Sequence, residues 1–539
     1  MPSHEAPIPP SASPEELLAF LRDPRSYPHH PERVDFLQTH ASYVFVVPPY
    51  VYKVKKPVNF GFLDYSTLEK RKYFCEQEIA LNRELCSEAY LGVIPIVRQR
   101  GSLRFGGDGE PVEYAVQMAR LAEEFFAKRL LLQGRFGEPE LDRIAERLAA
   151  FYSGQQPDRA TLDWGRVEKL KITSDENFAQ TEVDIGRTID RMTWETLRFF
   201  TEEFYRRQAA LFERRIREGW IKSGHGDLHL EHIHISPKSL CIYDRIEFNE
   251  RFRSVDVASD AAFLAMDLTF QGRVDLCCYF LERLARCLDD PDMLKLSDFY
   301  CCQRAYVRGK VESMTARDPL VPGEAQEACR RRARRYFALA LRFATVGFRP
   351  AVLAVMGRIG SGKSTLAGGL GRAIGWPVLA SDPIRKGLAG LPLEGRPSAE
   401  VRSWLYSPEF SERTYRELLR RAGETLRTEH GCLLDATFAR RDDRERLREL
   451  CRQAGADLLF LEAQAGENAR KQRLSARADR PDVVSDARAE DLAFLDGRYE
   501  PPAELADGAL LAVPCGADPE SSLCEALRAL AARKAAARP

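Results

Sequence analysis

Short apolar runs alternate with amphipathic helical patterns along the last third of the chain. The runs lie at residues 351–355, 377–380, 431–434, 457–462 and 509–513. Strands that alternate with helices in this way form a parallel sheet with helices on both faces. The pattern predicts a doubly wound α/β domain over residues 350–539.

The first 120 residues show a different pattern, which is typical of antiparallel strands. Runs rich in β-branched and aromatic residues lie at 44–47, 51–55, 95–99 and 113–118. The first two runs flank Pro48 and Pro49 and predict a hairpin. Because side chains alternate along a strand, Val51, Lys53 and Lys55 share one face of it.

A helix is predicted after the hairpin. Residues 66–69 read Ser-Thr-Leu-Glu, a capping box that opens a helix. On this helix Glu78 lies on the same face as Phe74 and Leu81, so it falls on an apolar stripe. A buried carboxylate needs a partner, and a lysine of the adjoining sheet is the candidate. The alternative is a solvated glutamate at the edge of the stripe.

The middle of the chain carries helical apolar spacing over most of its length. The helical segments are 122–133, 138–153, 190–218, 256–268, 272–289 and 294–316. They predict a largely helical region between residues 121 and 345.

One polar loop interrupts these helices. Its titratable side chains include His225, Asp227, His229 and His232. A strand-like run follows and ends at Asp244. Two acids seventeen residues apart, at the ends of loops or strands, suit a general base and a metal ligand. The irregular spacing of the histidines argues against a zinc site.

Residues 357–365 form the most specific motif of the chain. In order they are Gly357, Arg358, Ile359, Gly360, Ser361, Gly362, Lys363, Ser364 and Thr365. An apolar run precedes them and a helical pattern follows, which is typical of a P-loop that binds phosphate. Lys363 is expected to reach the β- and γ-phosphates of ATP, and Ser364 to hold Mg²⁺. The alternative, a chance glycine-rich turn, does not account for the flanking strand and helix.

Two further features fall at the carboxyl ends of the predicted parallel strands, where ligands bind in such sheets. Asp382 and Arg385 follow the second run, where Asp382 suits a proton acceptor and Arg385 a substrate or phosphate contact. Asp435 ends the third run, in the position of a Walker-B acid that holds Mg²⁺. Each also has a structural explanation, Asp382 as a helix cap and Asp435 as a turn residue.

An arginine-rich helix is predicted over residues 466–478. It places Arg470, Arg473 and Arg477 on one face, with Arg480 just beyond. Such a face can close over a triphosphate and neutralise the charge that develops during transfer. The alternative is a solvated surface. The P-loop in the same domain favours the functional interpretation.

A second arginine cluster precedes the P-loop domain. Residues 323–345 predict one amphipathic helix that carries Arg330, Arg331, Arg332, Arg334 and Arg335. Five arginines suggest a nucleic-acid partner. The apolar residues of the same helix favour a solvated face beside a domain interface, and we prefer this second interpretation.

Composition narrows the picture further. The 80 basic and 80 acidic residues cancel, so global charge predicts neither nucleic acid nor membrane as a partner. No apolar stretch is long enough to span a bilayer, and the Pro/Ser-rich residues 1–14 lack the features of a signal peptide. The 13 cysteines contain no CxxC motif, which predicts reduced, buried thiols in a cytoplasmic protein.

The polar loop and the strand end after it resemble the catalytic and metal-binding loops of aminoglycoside phosphotransferase-like kinases. The matching stretches are His-Gly-Asp-Leu-His-Leu-Glu-His-Ile and Ile-Tyr-Asp. The resemblance implies an α+β protein-kinase-like fold. This fold has a small β-rich lobe over 31–120 and a larger helical lobe over 121–345. Residues 1–30, which precede it, are expected to form a mostly disordered tail and an entry helix.

The resemblance also assigns the chemistry of this half. Asp227 would be the catalytic base and Asp244 the main Mg²⁺ ligand. His232 stands where the family usually has an Asn that binds a second metal ion, so it becomes a candidate ligand. Residues 245–248 do not begin with Phe-Gly, and no clear Gly-rich loop occurs in the first 50 residues. These departures leave open a domain that binds nucleotide without transferring phosphate.

The nucleotide contacts follow from the same resemblance. Lys53, or Lys55 on the same face, would hold the α- and β-phosphates of ATP. Glu78 would be the partner of that lysine on the helix, which explains a carboxylate on an apolar stripe. Gln117 and Met118 would belong to the hinge that faces adenine.

Motifs of the last domain are similar to those of P-loop kinases that act on small acceptors. They read GxxGSGKST, SDxxRK, LDATF and RxxRxxxR, within residues 350–500. Gluconate kinase-like, zeta toxin-like and polynucleotide kinase-like proteins share them. Asp382 and Arg385 resemble the pair with which polynucleotide 5′-hydroxyl kinases engage their acceptor.

The two halves together resemble a bacterial family of fused proteins, described as bifunctional aminoglycoside phosphotransferase-like and ATP-binding. The resemblance implies a kinase that uses ATP and Mg²⁺ and phosphorylates the hydroxyl group of a small molecule or nucleotide. Two alternatives stay open: a regulatory first half beside a catalytic P-loop domain, and a nucleic-acid 5′-hydroxyl kinase. The acceptor and the oligomeric state are not specified by the sequence.

Overall fold

The computed structural model describes residues 12–394, 397–477, 488–505 and 508–536. The chain divides into two compact units, each discontinuous in sequence. Unit 1 consists of Met1–Lys169, Phe212–Asp267 and Tyr279–Met293. Unit 2 consists of Leu170–Leu211, Leu268–Cys278 and Leu294–Pro539.

The part of the chain before residue 350 contains both strands and helices. The strands are β1 (Asp35–Gln38), β2 (Ser42–Val47), β3 (Tyr50–Lys55), β4 (Tyr90–Gln99), β5 (Ser102–Phe105), β6 (Glu110–Ala119), β7 (Ile221–Ser223), β8 (Ile233–Ile235), β9 (Leu240–Ile242) and β10 (Ser254–Asp256). The helices are α1 (Pro14–Arg22), α2 (Leu68–Asn82), α3 (Ala127–Leu132), α4 (Glu138–Ser153), α5 (Arg159–Asp163), α6 (Val167–Thr181), α7 (Arg191–Arg207), α8 (Ala209–Arg217), α9 (Glu250–Arg253), α10 (Val257–Phe270), α11 (Val274–Leu288), α12 (Asp292–Arg317) and α13 (Gly323–Thr345).

Unit 1 contains a six-stranded antiparallel sheet in the order β1-β2-β3-β6-β4-β5. β2 and β3 form the predicted hairpin, in which Phe45 lies opposite Tyr52 and Val47 opposite Tyr50. The sequence pattern did not predict β1 and β5. Both are short edge strands with largely exposed side chains, so they lack the apolar alternation on which such a prediction rests.

Helix α2 carries Glu78 and begins one residue later than the predicted capping box. Thr67 is the cap, and its hydroxyl accepts a hydrogen bond from the backbone N–H of Lys70 (3.3 Å). Ser66 lies one residue before the cap, and its hydroxyl donates to Asp64 (2.6 Å). The position of the helix is confirmed and the identity of its cap is corrected.

Helix α6 was missed by the sequence pattern. Its buried residues are Ser174, Asn177, Phe178 and Thr181, of which only the phenylalanine is apolar. A helix that buries hydroxyl and amide side chains has no apolar period for the sequence to reveal.

Two cysteines depart from the expectation of reduced thiols. Cys86 and Cys241 form a disulfide in unit 1, with their Cα atoms 4.6 Å apart. Both are buried, and 155 residues separate them in sequence, so no spacing motif marks the pair. The other cysteines are free thiols, as predicted.

Unit 2 contains the predicted parallel sheet. Its strands are β11 (Ala351–Met356), β12 (Val378–Ala380), β13 (Gly431–Asp435), β14 (Asp457–Gln464) and β15 (Leu510–Pro514). Their order is β12-β13-β11-β14-β15, and every pair is parallel. Every residue of the central strand β11 is buried. The α/β character of this part of the chain is therefore confirmed.

Helices lie between the strands of this sheet and after it. They are α14 (Lys363–Ile374), α15 (Ser381–Leu388), α16 (Ala399–Leu405), α17 (Pro408–Glu429), α18 (Arg441–Gln453), α19 (Glu467–Arg477), α20 (Leu492–Asp496) and α21 (Pro519–Ala536). Among the described helices, none combines the length and the apolar character that crossing a bilayer requires.

The arginines of α13 are engaged within unit 2. Arg332 pairs with Glu312 (2.8 Å), and Arg330 with Glu327 (2.8 Å). The guanidinium of Arg335 stacks over a phenylalanine ring at 4.4 Å. The apolar face of the same helix is buried. These contacts agree with the structural interpretation of the cluster.

Gly431, the first residue of β13, packs closely against the ring of Trp376. A Cβ atom added to Gly431 would lie 2.1 Å from Cζ2 of Trp376. Since no side chain fits there, we expect Gly431→Ala to lower the free energy of unfolding by about 1–3 kcal/mol, the usual cost of overpacking. Urea denaturation measures the change.

Gly387→Ala is the matched control. Gly387 lies on α15, is exposed, and has open space where a Cβ would stand, so this change should be neutral or stabilising by up to about 1 kcal/mol. Equal stabilities of the two variants would contradict the packing of Trp376 against Gly431.

Candidate functional site

The P-loop of unit 2 joins β11 to α14. Three of its glycines have positive φ angles, 135° at Gly357, 71° at Gly360 and 104° at Gly362. A Cβ atom on Gly357 would lie 2.6 Å from the backbone oxygen of Ala463 on β14. Only glycine permits this backbone, which turns the loop so that α14 starts at Lys363 with its N–H groups available to an anion.

The lysine and serines of the loop lie where phosphate chemistry needs them. Lys363 Nζ donates to the backbone oxygen of Arg358 (3.1 Å), so its side chain folds over the loop. Ser361 is almost fully buried, and its hydroxyl has no hydrogen-bond partner among the described residues. Ser364 lines the cavity described next.

A cavity of about 560 Å³ opens beside the loop. It brings together the residues predicted from separate motifs, namely Lys363, Ser364, Asp382, Arg385 and Asp435. Thr437, from the LDATF motif, also lines it. Its other polar lining includes side chains that sequence reasoning missed: Tyr406, Tyr415, Arg440, Asp443 and Arg498. These five side chains belong to no motif, and only the fold places them at the cavity.

Asp382 and Arg385 form a close pair in this cavity. Arg385 Nη1 donates to Asp382 Oδ1 at 2.6 Å. The arginine is 6% exposed, its guanidinium lies 4.5 Å from the ring centre of Tyr406, and its Nε has no partner among the described residues. Burial lowers the pKa of Arg385, but the carboxylate of Asp382 outweighs it and the net shift is upward.

Asp435 ends β13 next to β11, in register with Val355. Its carboxylate and the hydroxyl of Ser364 are oxygen ligands that line one cavity, which is the donor set that Mg²⁺ prefers. Nearby, the hydroxyl of Tyr415 accepts a hydrogen bond from the N–H of Phe438 (2.9 Å), and burial raises its pKa to about 12. The tyrosine is therefore neutral at physiological pH.

The arginines of α19 contact the protein itself. Arg470 pairs with Asp496 at 2.7 Å. Arg473 donates to the backbone oxygens of Ser361 (3.0 Å) and Cys515 (2.8 Å). Arg473 thus braces the P-loop from its carbonyl side. Arg477 is the last residue of the helix, with its side chain outside the described part, and Arg480 lies outside the described residues.

Unit 1 holds a second cluster of predicted residues. Lys53 Nζ lies 2.6 Å from Asp244 Oδ1 and 2.9 Å from Glu78 Oε1. The glutamate is fully buried. Burial by itself raises the pKa of Glu78, but Lys53 and Lys55 outweigh it and the pKa is lowered. The predicted pairing of the helix carboxylate with a lysine of the sheet is therefore confirmed.

The second lysine of the strand extends this cluster. Lys55 Nζ lies 2.7 Å from Glu78 Oε2 and also contacts Glu247. The hydroxyl of Tyr65 donates to Glu247 at 2.5 Å. The segment after Asp244 is thereby tied to β3. Sequence reasoning did not assign Glu247 or Tyr65, because neither belongs to a motif.

The loop that carries Asp227 is positioned by Asp260, which sequence reasoning also missed. Its carboxylate accepts hydrogen bonds from the N–H groups of His225 (2.6 Å) and Gly226 (2.8 Å) and from the hydroxyl of Tyr152 (2.7 Å). A Cβ atom on Gly224 would lie 2.6 Å from the same carboxylate. Asp260 sits one turn into a buried helix, where a lone acid carries no recognisable signal.

Asp227, His229 and His232 converge in this loop. One ligand atom from each lies within 4.8 Å of the others, so a cation can bind among them. His229 Nε2 is 3.4 Å from Asp227 Oδ2, and His232 Nε2 is 3.5 Å from Asp244 Oδ2. Burial lowers the pKa of His232. The ammonium group of Lys53 outweighs the burial of Asp244 and lowers the pKa of that carboxyl.

A cavity of about 610 Å³ lies above these charges. Apolar side chains line one part, including Val44, Val46, Val51, Met118 and Phe126, and Lys53, Asp227 and Asp244 line the other. Gln117 does not line it. Its amide donates instead to the hydroxyl of Tyr52 (3.0 Å), because neighbouring residues of β6 point to opposite faces of the sheet.

Comparisons with known proteins cover different extents of the chain. Residues 352–502 match a family model described as AAA domain. Over 470 residues the chain is 33% identical to the uncharacterized protein Rv2004c of Mycobacterium tuberculosis (strain ATCC 25618 / H37Rv), covering 86% of this chain and 90% of the relative. Uncharacterized protein Mb2027c of Mycobacterium bovis matches with the same identity and coverage.

Solved structures match about a third of the chain. A gluconokinase from Sinorhizobium meliloti 1021 is 22% identical with a TM-score of 0.25, covering 34% of this chain and 92% of its own. The Mycobacterium tuberculosis APS kinase CysC is 19% identical with a TM-score of 0.25, covering 34% of this chain and 97% of its own.

The buried ring of His225 makes the stability of unit 1 dependent on pH. Burial lowers its pKa from 6.5 to about 4, so the unfolded chain binds a proton that the folded chain does not. The stabilising contribution is complete above pH 6.5 and is lost as the pH falls towards 4. Between pH 7 and pH 5 the loss should be about 2 kcal/mol.

Urea denaturation of wild type and His225→Gln at both pH values tests this. The variant should be less stable at pH 7 and should lose about 2 kcal/mol less on acidification. His40→Gln, at an exposed histidine, should keep the wild-type response. Parallel losses in wild type and His225→Gln would contradict a neutral buried ring.

Proposed function

We propose that unit 2 transfers the γ-phosphate of ATP to a hydroxyl group of a small molecule or nucleotide. The chain belongs to the same family as the mycobacterial proteins Rv2004c and Mb2027c. The observation that carries the proposal is the single cavity that joins the P-loop to Asp382, Arg385 and Asp435. A phosphate donor site and a candidate base for an acceptor hydroxyl thus share one enclosed space.

The donor half of this cavity would hold the triphosphate. The N–H groups of the P-loop and the ammonium of Lys363 neutralise its negative charge. Ser364 and Asp435 would hold Mg²⁺, which when bound neutralises charge on the β- and γ-phosphates. Arg473, by fixing two carbonyls beside the loop, keeps the N–H groups aimed at the phosphates.

The acceptor half would prepare the hydroxyl group. Asp382 is held by Arg385 at 2.6 Å, which orients its carboxylate, and a carboxylate within reach of an acceptor hydroxyl can take its proton. The volume of about 560 Å³ suits a small molecule or a single nucleotide.

Unit 1 supports a second candidate function, a protein-kinase-like nucleotide site. The pairing of Lys53 with Glu78 and Asp244, at the floor of a partly apolar cavity, favours it. In this proposal the lysine holds phosphates, the apolar walls hold the base of the nucleotide, and Asp227 accepts the proton of a hydroxyl acceptor. The lobes proposed for the first half of the chain are residues 31–120 and 121–345, followed by the P-loop domain over 350–539. Of the second lobe, residues 121–169, 212–267 and 279–293 belong to unit 1.

Lys363→Ala tests the function of unit 2. Loss of the ammonium should lower phosphate transfer by about 100-fold or more, since a group aimed at developing charge contributes on that scale. Transfer of radiolabelled γ-phosphate to a panel of metabolites and oligonucleotides is the measurement. Lys471→Ala, at an exposed lysine of α19, should behave as wild type. Undiminished ATP turnover in Lys363→Ala would overturn the proposal.

Asp227→Asn in the same assay tests unit 1. If Asp227 is a catalytic base, this variant loses acceptors that Lys363→Ala retains, because the two sites act on different substrates. If Asp227→Asn loses nothing while Lys363→Ala loses all transfer, unit 1 is not a phosphotransferase and acts as a binding or regulatory module.

A further inference from the structure

The tautomer of His232 is set by its hydrogen bond. Its Nδ1 lies 2.9 Å from the backbone oxygen of Asp227. A carbonyl oxygen only accepts hydrogen bonds, so Nδ1 carries the proton, and a neutral ring then has its lone pair on Nε2. The ring is thereby prepared to act as a ligand through Nε2, since histidines that bind metals commonly donate their other N–H to a carbonyl or carboxylate.

The lone pair of Nε2 faces a carboxylate. Asp244 Oδ2 lies 3.5 Å away, while the other oxygen of that carboxylate is occupied by Lys53 at 2.6 Å. A direct ion pair with a protonated ring would bring the atoms to about 2.7–2.9 Å. Two acceptors at the longer distance suit a shared cation, because ligands about 2.0–2.1 Å from a tetrahedral metal lie roughly 3.4 Å apart.

The charges around Asp244 also favour a cation. Asp244 pairs with Lys53, whose ammonium group also meets the buried Glu78. Lys53 is thus shared between two carboxylates, and Asp244, with 37% of its side chain exposed, is the one that a cation from solvent can reach.

His229 has a different part in this loop. Its Nδ1 accepts a hydrogen bond from the N–H of Glu231 (3.3 Å), so its proton lies on Nε2, which points at Asp227 Oδ2 (3.4 Å). His229 therefore orients the carboxylate of Asp227. His232 is left as the nitrogen ligand of the site.

We propose that His232 Nε2 and Asp244 Oδ2 bind a divalent first-row transition-metal ion, Mn²⁺, Co²⁺ or Zn²⁺, in preference to Mg²⁺. Imidazole nitrogen is a good ligand for Co²⁺ and Zn²⁺ and binds Mn²⁺ less strongly, whereas Mg²⁺ prefers oxygen ligands. The inference deepens the second candidate function, that of unit 1, by naming the metal class of its site. Binding of the metal alone does not require phosphate transfer, so the two proposals can fail separately.

The test uses the full-length protein stripped of metal ions and titrated without nucleotide. Wild type should bind Co²⁺ and Mn²⁺ at least about tenfold more tightly than Mg²⁺. His232→Asn replaces the nitrogen ligand with an amide oxygen. It should lose at least about tenfold in Co²⁺ affinity, because even residues that only hydrogen-bond a metal ligand contribute on that scale. Its Mg²⁺ affinity should be unchanged. His40→Gln controls for adventitious binding at surface histidines.

Pulsed electron paramagnetic resonance of bound Mn²⁺ identifies the ligand directly. A ¹⁴N coupling should be present in wild type and His40→Gln and absent in His232→Asn. If thermal melting shows that His232→Asn is misfolded, Asp244→Asn replaces it, because loss of the carboxylate should also abolish the ¹⁴N-coupled site. Equal Co²⁺ affinities and an unchanged ¹⁴N signal in a folded variant would overturn the proposal.

Discussion

A carboxylate without solvent exposure has to be neutralised inside the protein, and in unit 1 this constraint falls on Glu78. Its two oxygens meet Lys53 and Lys55, which in turn hold Asp244 and Glu247. A strand, a helix and the segment after β9 are thus fixed to each other by charge. The geometry of the second candidate site follows from this network, since movement of either lysine would take an ammonium partner away from the buried Glu78.

The site of unit 2 depends on backbone shape. Its P-loop passes so close to β14 that a side chain at Gly357 has no room, and Arg473 fixes the loop from its carbonyl side. Backbone shape thus fixes the candidate site of unit 2, whereas buried charge fixes the candidate site of unit 1. A loop built on glycine costs the large conformational entropy that glycine loses on folding. A buried charge network costs the desolvation of its charged groups.

The sequence predicted features whose signal is local. The parallel strands were found from short apolar runs. The P-loop was found from the spacing of its glycines and from the strand and helix that flank it. Each of these signals falls within a few residues. Asp260, Tyr415 and Glu247 were missed because their importance comes from what the fold places beside them. The disulfide between Cys86 and Cys241 was missed for the same reason, as was α6, whose buried face is mostly polar.

The chain passes between the two units five times, after residues 169, 211, 267, 278 and 293. Each unit is therefore assembled from three separate segments. No single proteolytic cut can release either unit complete. A gene fragment that encodes residues 350–539 alone omits two helices that lie wholly within unit 2, α7 and α13, together with most of α12. An ancestor in which the two units were separate proteins would have needed more than a simple end-to-end fusion to reach this arrangement.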